Sequence, residues 1–177
     1  TANFAPTALH FSVAAGIRSD SIAAWLGSDN VVRSMPNTPA LIGKGITALF
    51  ARPSVTSAGK AWVVRVVASM GEFLWLDQES QLDAVTAISG SGPAYVFYFL
   101  EAMTEAAINM GLSAEQGRHL AIATFSGASE LANRSDEPLD LLRQRVTSKG
   151  GTTYAALTAM ETSNIKPNFI QAILAAE

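Results

Sequence analysis

Val146-Thr147-Ser148-Lys149-Gly150-Gly151-Thr152-Thr153-Tyr154 gathers several kinds of ligand-binding group within a few residues. Adjacent glycines permit backbone angles closed to other residues and let a ligand come close to the main chain. The threonines that follow open a helix whose first N–H groups have no internal partner. Those donors, together with the positive end of the helix dipole, favour a carboxylate or a similar anion. Ser148, Thr152 and Thr153 add hydroxyls that both donate and accept. The chemistry implied is the capture of an anion with a hydroxyl held beside it. The plainer alternative is a helix–turn–helix corner with a threonine cap.

A second stretch, Pro36-Asn37-Thr38-Pro39, follows the strand-like run Val31–Met35. In open α/β sheets, ligands bind outside the carboxyl ends of the strands. A simple Pro-Asn turn is the competing reading. A third, Ile88-Ser89-Gly90-Ser91-Gly92-Pro93, reads as a loop before a long helix, with Pro93 at its first position and Ser91 or Gly92 before it as cap. Neither His10 nor His119 has a partner at metal-ligand or triad spacing, so both read as structural or solvent-facing. Without cysteine, disulfides and thiolate metal sites are excluded. No metal site is expected.

The elements that must hold these stretches divide the chain in two. Residues 9–15 read as a short buried strand. Ser19, Asp20 and Ser21 are cap types for a helix through Ile22, Ala23, Trp25 and Leu26 that Gly27 stops. Val31–Met35 is the next strand, and strand–helix–strand in so short a span is the rhythm of a parallel sheet. A strand over 46–50 follows. Ser54 or Ser57 then caps a helix with Val63, Val66, Val67 and Met70 inward, and Gly71 ends it. A last strand covers 73–76, with Trp62 and Trp75 as core or interface residues. From Glu79 onward only helices are legible.

The long helix runs from Pro93 to Met110, with Gly111 at its exit. Its polar residues Glu101, Glu105 and Asn109 form one stripe; the rest is apolar, more than one small domain can cover. A partner subunit is therefore expected, and a charge at Phe99 or Leu100 should disrupt it. Ser113-Ala114-Glu115-Gln116 is a capping box opening a helix to about Asn133. Its inward set reads Leu120, Ala123, Thr124, Gly127, Ala128 and Leu131. Pro138 opens another, with Leu139, Leu142 and Val146 inward. Helices from Thr152 to near Glu161 and from Pro167 onward complete the chain.

Composition sets outer bounds. The 177 residues are 49% hydrophobic and 15% charged, a globular chain with low charge density that fits burial in an oligomer. A net charge of −3 gives no nucleic-acid footprint. No apolar run is long enough for a transmembrane helix, and the start lacks the plan of a signal peptide. It begins at Thr1 without Met, from which a fragment is expected.

Three motifs in this order, Val31 to Pro39, Ile88 to Tyr95 and Val146 to Thr153, resemble pyrroline-5-carboxylate reductases from about Ser12 onward. The resemblance implies a fold of α/β plus all-α class: the C-terminal remainder of a Rossmann NAD(P)-binding domain over 1–77, then an all-helical dimerisation and substrate-binding domain over 78–177. It implies reduction of 1-pyrroline-5-carboxylate to L-proline by NADPH or NADH in a cytoplasmic homodimer or larger assembly, with no nucleic-acid or membrane partner. By match, Ser148, Gly150, Gly151, Thr152 and Thr153 bind the substrate. The carboxylate goes to Ser148 and the N–H groups of Gly151, Thr152 and Thr153. Thr153 is the catalytic residue at the ring nitrogen. Ala15, Asn37 and Thr38 line the nicotinamide side.

Two departures stand out. The family's Gly-rich fingerprint is missing: no G-x-G-x-x-G occurs, and Gly90-Ser91-Gly92 is no substitute because it does not follow a strand in a βαβ unit. Lys149 stands where many members carry proline. A non-catalytic oligomerisation module and a related imine or 2-hydroxy-acid reductase are the alternatives.

Overall fold

A computed structural model describes residues 4–5 and 7–177, so Thr1 lies outside the described residues. The chain forms two compact units: Thr1–Pro93 with Ile173–Glu177, and Ala94–Ala172. No helix among the described residues is long and apolar enough to cross a membrane.

The first unit is built on a four-stranded sheet in the order β1 (His10–Ser12), β2 (Val31–Met35), β3 (Gly45–Ala51), β4 (Gly71–Trp75). β1 is shorter than the run 9–15 promised. β1 and β2 pair in parallel through α1 (Ser19–Leu26), as the strand–helix–strand rhythm predicted. β2 and β3 pair antiparallel. The nine residues between them, 36–44, are too few for a parallel crossover; they fold into a 3-10 turn over Thr38–Ile42. β3 and β4 are again parallel, joined through α2 (Ser57–Val67).

Alternation along β2 sends successive residues to opposite faces. Val32 packs with Leu49, Val55, Val63 and Val67 under α2, whereas Val31 packs with Ile22 and Ala23 of α1. Val63 and Val67 point inward as expected and Met70 packs against them, but Val66 lies on the exposed side of α2. Thr56, not Ser54 or Ser57, caps α2, accepting from the Gly59 N–H at 3.1 Å. Trp75 packs on this core under Lys60, and Trp62 is largely exposed. Gly71, at φ 127°, starts β4 so close to β3 that a Cβ would stand 2.2 Å from the Gly45 carbonyl oxygen. Only glycine fits there.

After β4 the path is helical, but residues 88–93 are not the loop their glycines implied. α3 (Gln81–Val85) runs into a π-helical turn over Thr86–Gly90 and then α4 (Gly92–Asn109). Hydroxyl bonds carry the chain through: Thr86 Oγ1 donates to the Leu82 carbonyl at 2.8 Å and Ser89 Oγ to that of Val85 at 3.1 Å. The Ser91 N–H reaches back to the Thr86 carbonyl at 2.9 Å. Ser91 therefore has helical backbone angles, unlike Thr56, the extended N-cap of α2.

The second unit is all helical: most of α4, then α5 (Ala114–Asn133), α6 (Leu139–Arg145), α7 (Thr152–Thr162) and the start of α8 (Ile165–Leu174). The capping box of α5 is complete: the Gln116 N–H donates to Ser113 Oγ at 3.1 Å and the Ser113 N–H to Gln116 Oε1 at 2.9 Å. Its inner face is not the predicted one. Gly117 and Ala121 are buried, Gly117 facing Ala107 of α4. Leu120, Ala123, Thr124, Gly127, Ala128 and Leu131 are exposed in the single chain. On α6, Leu142 is half-buried, while Leu139 and Val146 are exposed. Tyr95 and Phe99 of α4 stack edge-on against Phe169 of α8, so Phe99 belongs to the chain's own packing. Phe97 and Tyr98 face outward, 59% and 69% exposed.

Candidate functional site

α6 ends at Arg145, where Thr147 turns its hydroxyl back to the Arg143 carbonyl at 2.6 Å. The turn then closes through the Gly151 N–H, which donates to the Ser148 carbonyl at 3.0 Å. Gly150 sits at φ 76°, in the left-handed region. A Cβ on Gly151 would come 2.7 Å from Ser148 Oγ, so the serine side chain occupies the space that any other residue would need. Gly151 is itself the N-cap of α7, with extended angles and no side-chain cap bond. Its carbonyl accepts from Ala155 N–H at 3.1 Å, the first bond of the helix.

The turn thus leaves a defined set of open groups. The N–H groups of Thr152, Thr153 and Tyr154 have no hydrogen-bond partner among the described residues, and neither do the hydroxyls of Ser148, Thr152 and Thr153. The threonine-cap alternative requires a Thr oxygen on a helix N–H, which is not what this helix start uses. The Gly151 N–H, expected among the anion donors, is consumed by the turn itself. Ser148 and Thr152 are exposed and Thr153 is half-buried. Exposed donors at a helix start can hold a carboxylate, and the Thr153 hydroxyl can meet a group beside it.

The other predicted residues lie in the first unit, at the carboxyl ends of two adjacent parallel strands. Ala15 is exposed in the tight turn after β1. Asn37 follows β2 and begins the 3-10 turn; its Oδ1 accepts from Ile46 N–H at 2.9 Å, which fixes the loop to the start of β3. Its Nδ2 and the hydroxyl of exposed Thr38 have no partner among the described residues.

A third cluster was not anticipated. Ser19, expected as a helix cap, is instead the first residue of α1 after Arg18, and is almost fully buried. Glu79 takes its N–H at 2.5 Å and its hydroxyl at 2.6 Å, one on each carboxylate oxygen. Arg33 Nη1 joins at 2.7 Å, with both charged side chains largely buried. Burial works to raise the Glu79 pKa, but the Ser19 hydroxyl and N–H bonds and the Arg33 guanidinium outweigh it and hold the carboxyl below its ordinary value. Arg52 Nη1 donates to Ser19 Oγ at 3.2 Å and pairs with Asp20, while its Nη2 pairs with Asp29 at 2.8 Å. The signal was present: an arginine inside the buried strand Val31–Met35 requires an acidic partner. What the sequence hid was which of 15 acids supplies it.

The family model described as pyrroline-5-carboxylate reductase dimerisation matches residues 79–177. A pyrroline-5-carboxylate reductase of Pseudomonas aeruginosa is 45% identical over 173 residues, 97% of this chain and 63% of the relative. The chain therefore spans less than two thirds of that relative's length. Among solved structures, a pyrroline-5-carboxylate reductase from Coxiella burnetii is 39% identical with a TM-score of 0.90, covering 95% of this chain and 63% of that one. The Plasmodium falciparum pyrroline carboxylate reductase with NADP bound is 34% identical with a TM-score of 0.87, over 95% of this chain and 68% of that one. The two departures from the family pattern do not alter the outcome: this chain belongs to the pyrroline-5-carboxylate reductase family.

Proposed function

We propose that this chain forms most of an oxidoreductase that reduces the ring C=N of 1-pyrroline-5-carboxylate to give L-proline, the last step of proline biosynthesis, with NADPH or NADH. The observation that carries this reading is the start of α7, where the N–H groups of Thr152 and Thr153 and the hydroxyls of Ser148 and Thr153 have no partner among the described residues. A cyclic imine acid needs those groups. Ser148 and the free N–H groups take the carboxylate, and Gly150 and Gly151 allow its close approach. The Thr153 hydroxyl meets the ring nitrogen, which gains a proton as the neighbouring carbon gains hydride, so a C–H and an N–H replace one π bond.

A bound nicotinamide would supply the hydride. Ala15, Asn37 and Thr38 suit contact with that nicotinamide: a small residue in a turn, a fixed amide with an Nδ2 that has no partner among the described residues, and an open hydroxyl. No G-x-G-x-x-G occurs in the chain, so no pyrophosphate-binding turn of that type is assigned to it. We assign residues 1–77 to dinucleotide binding and 78–177 to substrate binding and dimerisation; a family match beginning at 79 supports that division. Homo-oligomers in the cytoplasm complete the reading.

The test is loss of reduced-nicotinamide absorbance when the full-length protein meets 1-pyrroline-5-carboxylate. No turnover with either cofactor would overturn the assignment. The exposed apolar faces of α4 and α5 equally suit a non-catalytic oligomerisation module, and turnover separates the two.

A further inference from the structure

We propose that Glu79 is a positioning residue for the two loops that would contact the nicotinamide, an inference that rests on the reading of Ala15, Asn37 and Thr38 given above. The loop carrying Ala15 spans residues 13–18, between the end of β1 and the start of α1. Its first end is fixed to β2, because Ser12 pairs with Arg33 and the Ser34 hydroxyl donates to the Ser12 carbonyl at 3.0 Å. Its second end is Ser19, four residues beyond Ala15, where Glu79 bonds both the N–H and the hydroxyl at 2.5 and 2.6 Å and Arg52 Nη1 also reaches the hydroxyl at 3.2 Å. The same carboxylate takes Arg33 at 2.7 Å, four residues before Asn37 on the strand that delivers the Asn37-Thr38 loop. Both ends of one loop and the root of the other therefore meet through Arg33 and Glu79. Glu79 comes from a separate segment, between β4 and α3.

Both carboxylate oxygens are used, and the three bonds are charge-assisted, the strong kind. Gln in place of Glu79 keeps the shape but presents an NH2 group to donors that need an acceptor. The loop would then be free to move relative to β2 while the hydrophobic clusters around Val31 and Val32 remain. A loop held in place before binding costs less to order on the ligand.

The experiment uses full-length protein with Glu79→Gln, Glu79→Asp and Ser19→Ala. Cofactor affinity is read by fluorescence titration with NADPH and NADH, beside kcat, the KM of each substrate and the melting temperature. Glu79→Gln is expected to weaken cofactor binding by about three- to tenfold, the consequence of losing roughly one hydrogen bond's worth of pre-ordering, with the KM for the imine changed less than about twofold. Asp should recover part of the affinity, since the charge returns. Ser19→Ala, which removes one of the three bonds, should shift affinity in the same direction but less, and serves if the Gln variant does not fold. A lowered melting temperature with unchanged cofactor affinity would show a purely structural bridge and overturn the proposal. So would an imine KM that rises as much as the cofactor's. If the wild type binds cofactor but does not reduce 1-pyrroline-5-carboxylate, the substrate reading fails while the titration still decides the role of Glu79. A wild type that binds neither cofactor overturns both.

Discussion

Thr153 carries the sharpest expectation at the scale of single residues. If its hydroxyl meets the substrate nitrogen, Thr153→Val should lower kcat by roughly tenfold to a few hundredfold, about 1.5–3 kcal/mol for a hydrogen bond formed mainly in the transition state. Thr153→Ser should keep much of the rate, because the hydroxyl survives. Ser148→Ala should act on KM, since the carboxylate is held alike before and during hydride transfer. Steady-state kinetics beside melting curves check this set, and full kcat in Thr153→Val would remove Thr153 from catalysis. Gly151→Ala tests the turn in another way: its Cβ would need the place of Ser148 Oγ, 2.7 Å away, so the serine must move and KM for the imine should rise. The hydroxyls and glycines of this site were legible because they are neighbours in sequence. The role of the Gly151 N–H was misjudged because a backbone donor's partner depends on how the turn closes, and here it closes on the Ser148 carbonyl. Thr47 is a contrasting residue in β3, 1% exposed, with a buried Oγ1 that has no hydrogen-bond partner among the described residues. Thr47→Val replaces that oxygen with a methyl group of like shape, and should leave stability unchanged or raise it by about 1 kcal/mol by thermal melting.

Pairings between elements were the least legible part of the sequence. The strand, helix and strand over 9–35 could be read because their periods and stops are local. The antiparallel step into β3 required counting the short 36–44 connection. The π-helical turn was missed because glycines read as a break, whereas the Thr86 and Ser89 hydroxyls and the Ser91 N–H carry the helix across. The bridge from Glu79 to Ser19 joins residues sixty positions apart, and only Arg33 in a buried strand pointed toward it. That bridge has a consequence for stability against pH. The folded-state pKa of Glu79 lies below its ordinary value, so its contribution is present above the unfolded pKa, about 4.3 for glutamate, and is lost as pH falls through the lower folded value. Asp20, held low by its bond to Arg52, adds a shift of the same sign. Glu79→Gln should therefore destabilise the protein near neutral pH by about 1–3 kcal/mol, several degrees in Tm. The difference from wild type should shrink as both are acidified below the ordinary carboxylate range. Melting curves from pH 7 down to about 3 check this; a difference that stays constant would show that the charge on Glu79 is not what the bridge uses.

Across the whole molecule, the inward set expected on α5 and the nearly all-apolar surface of α4 are covered in different senses. In α5 the sequence offered one apolar set, yet the chain itself buries only Gly117 and Ala121 and leaves Leu120 and Leu131 open. Amphipathic spacing reports that a face avoids water, and is silent on whether the same chain or a second copy covers it. In α4 both occur. Phe99 and Tyr95 are taken by Phe169, while Phe97 and Tyr98 remain exposed. Single scattered apolar side chains are ordinary on a surface, but clustered ones mark contact sites, and the family match over 79–177 is a dimerisation model. The covering surface is therefore expected to be a second copy. This changes the choice of probe. Phe99→Glu would strike the chain's own packing against Phe169 and confuse unfolding with dissociation. Phe97→Glu places its charge on a side chain that the single chain leaves 59% exposed, so the monomer should tolerate it while the assembly must bury it. Burying an unpaired charge in an apolar contact costs several kcal/mol, and two-fold symmetry would present it twice per interface. Sedimentation of Phe97→Glu should show monomer where wild type shows dimer or larger, with helical content retained by circular dichroism. An assembly of unchanged size would place the covering surface elsewhere on the helical unit.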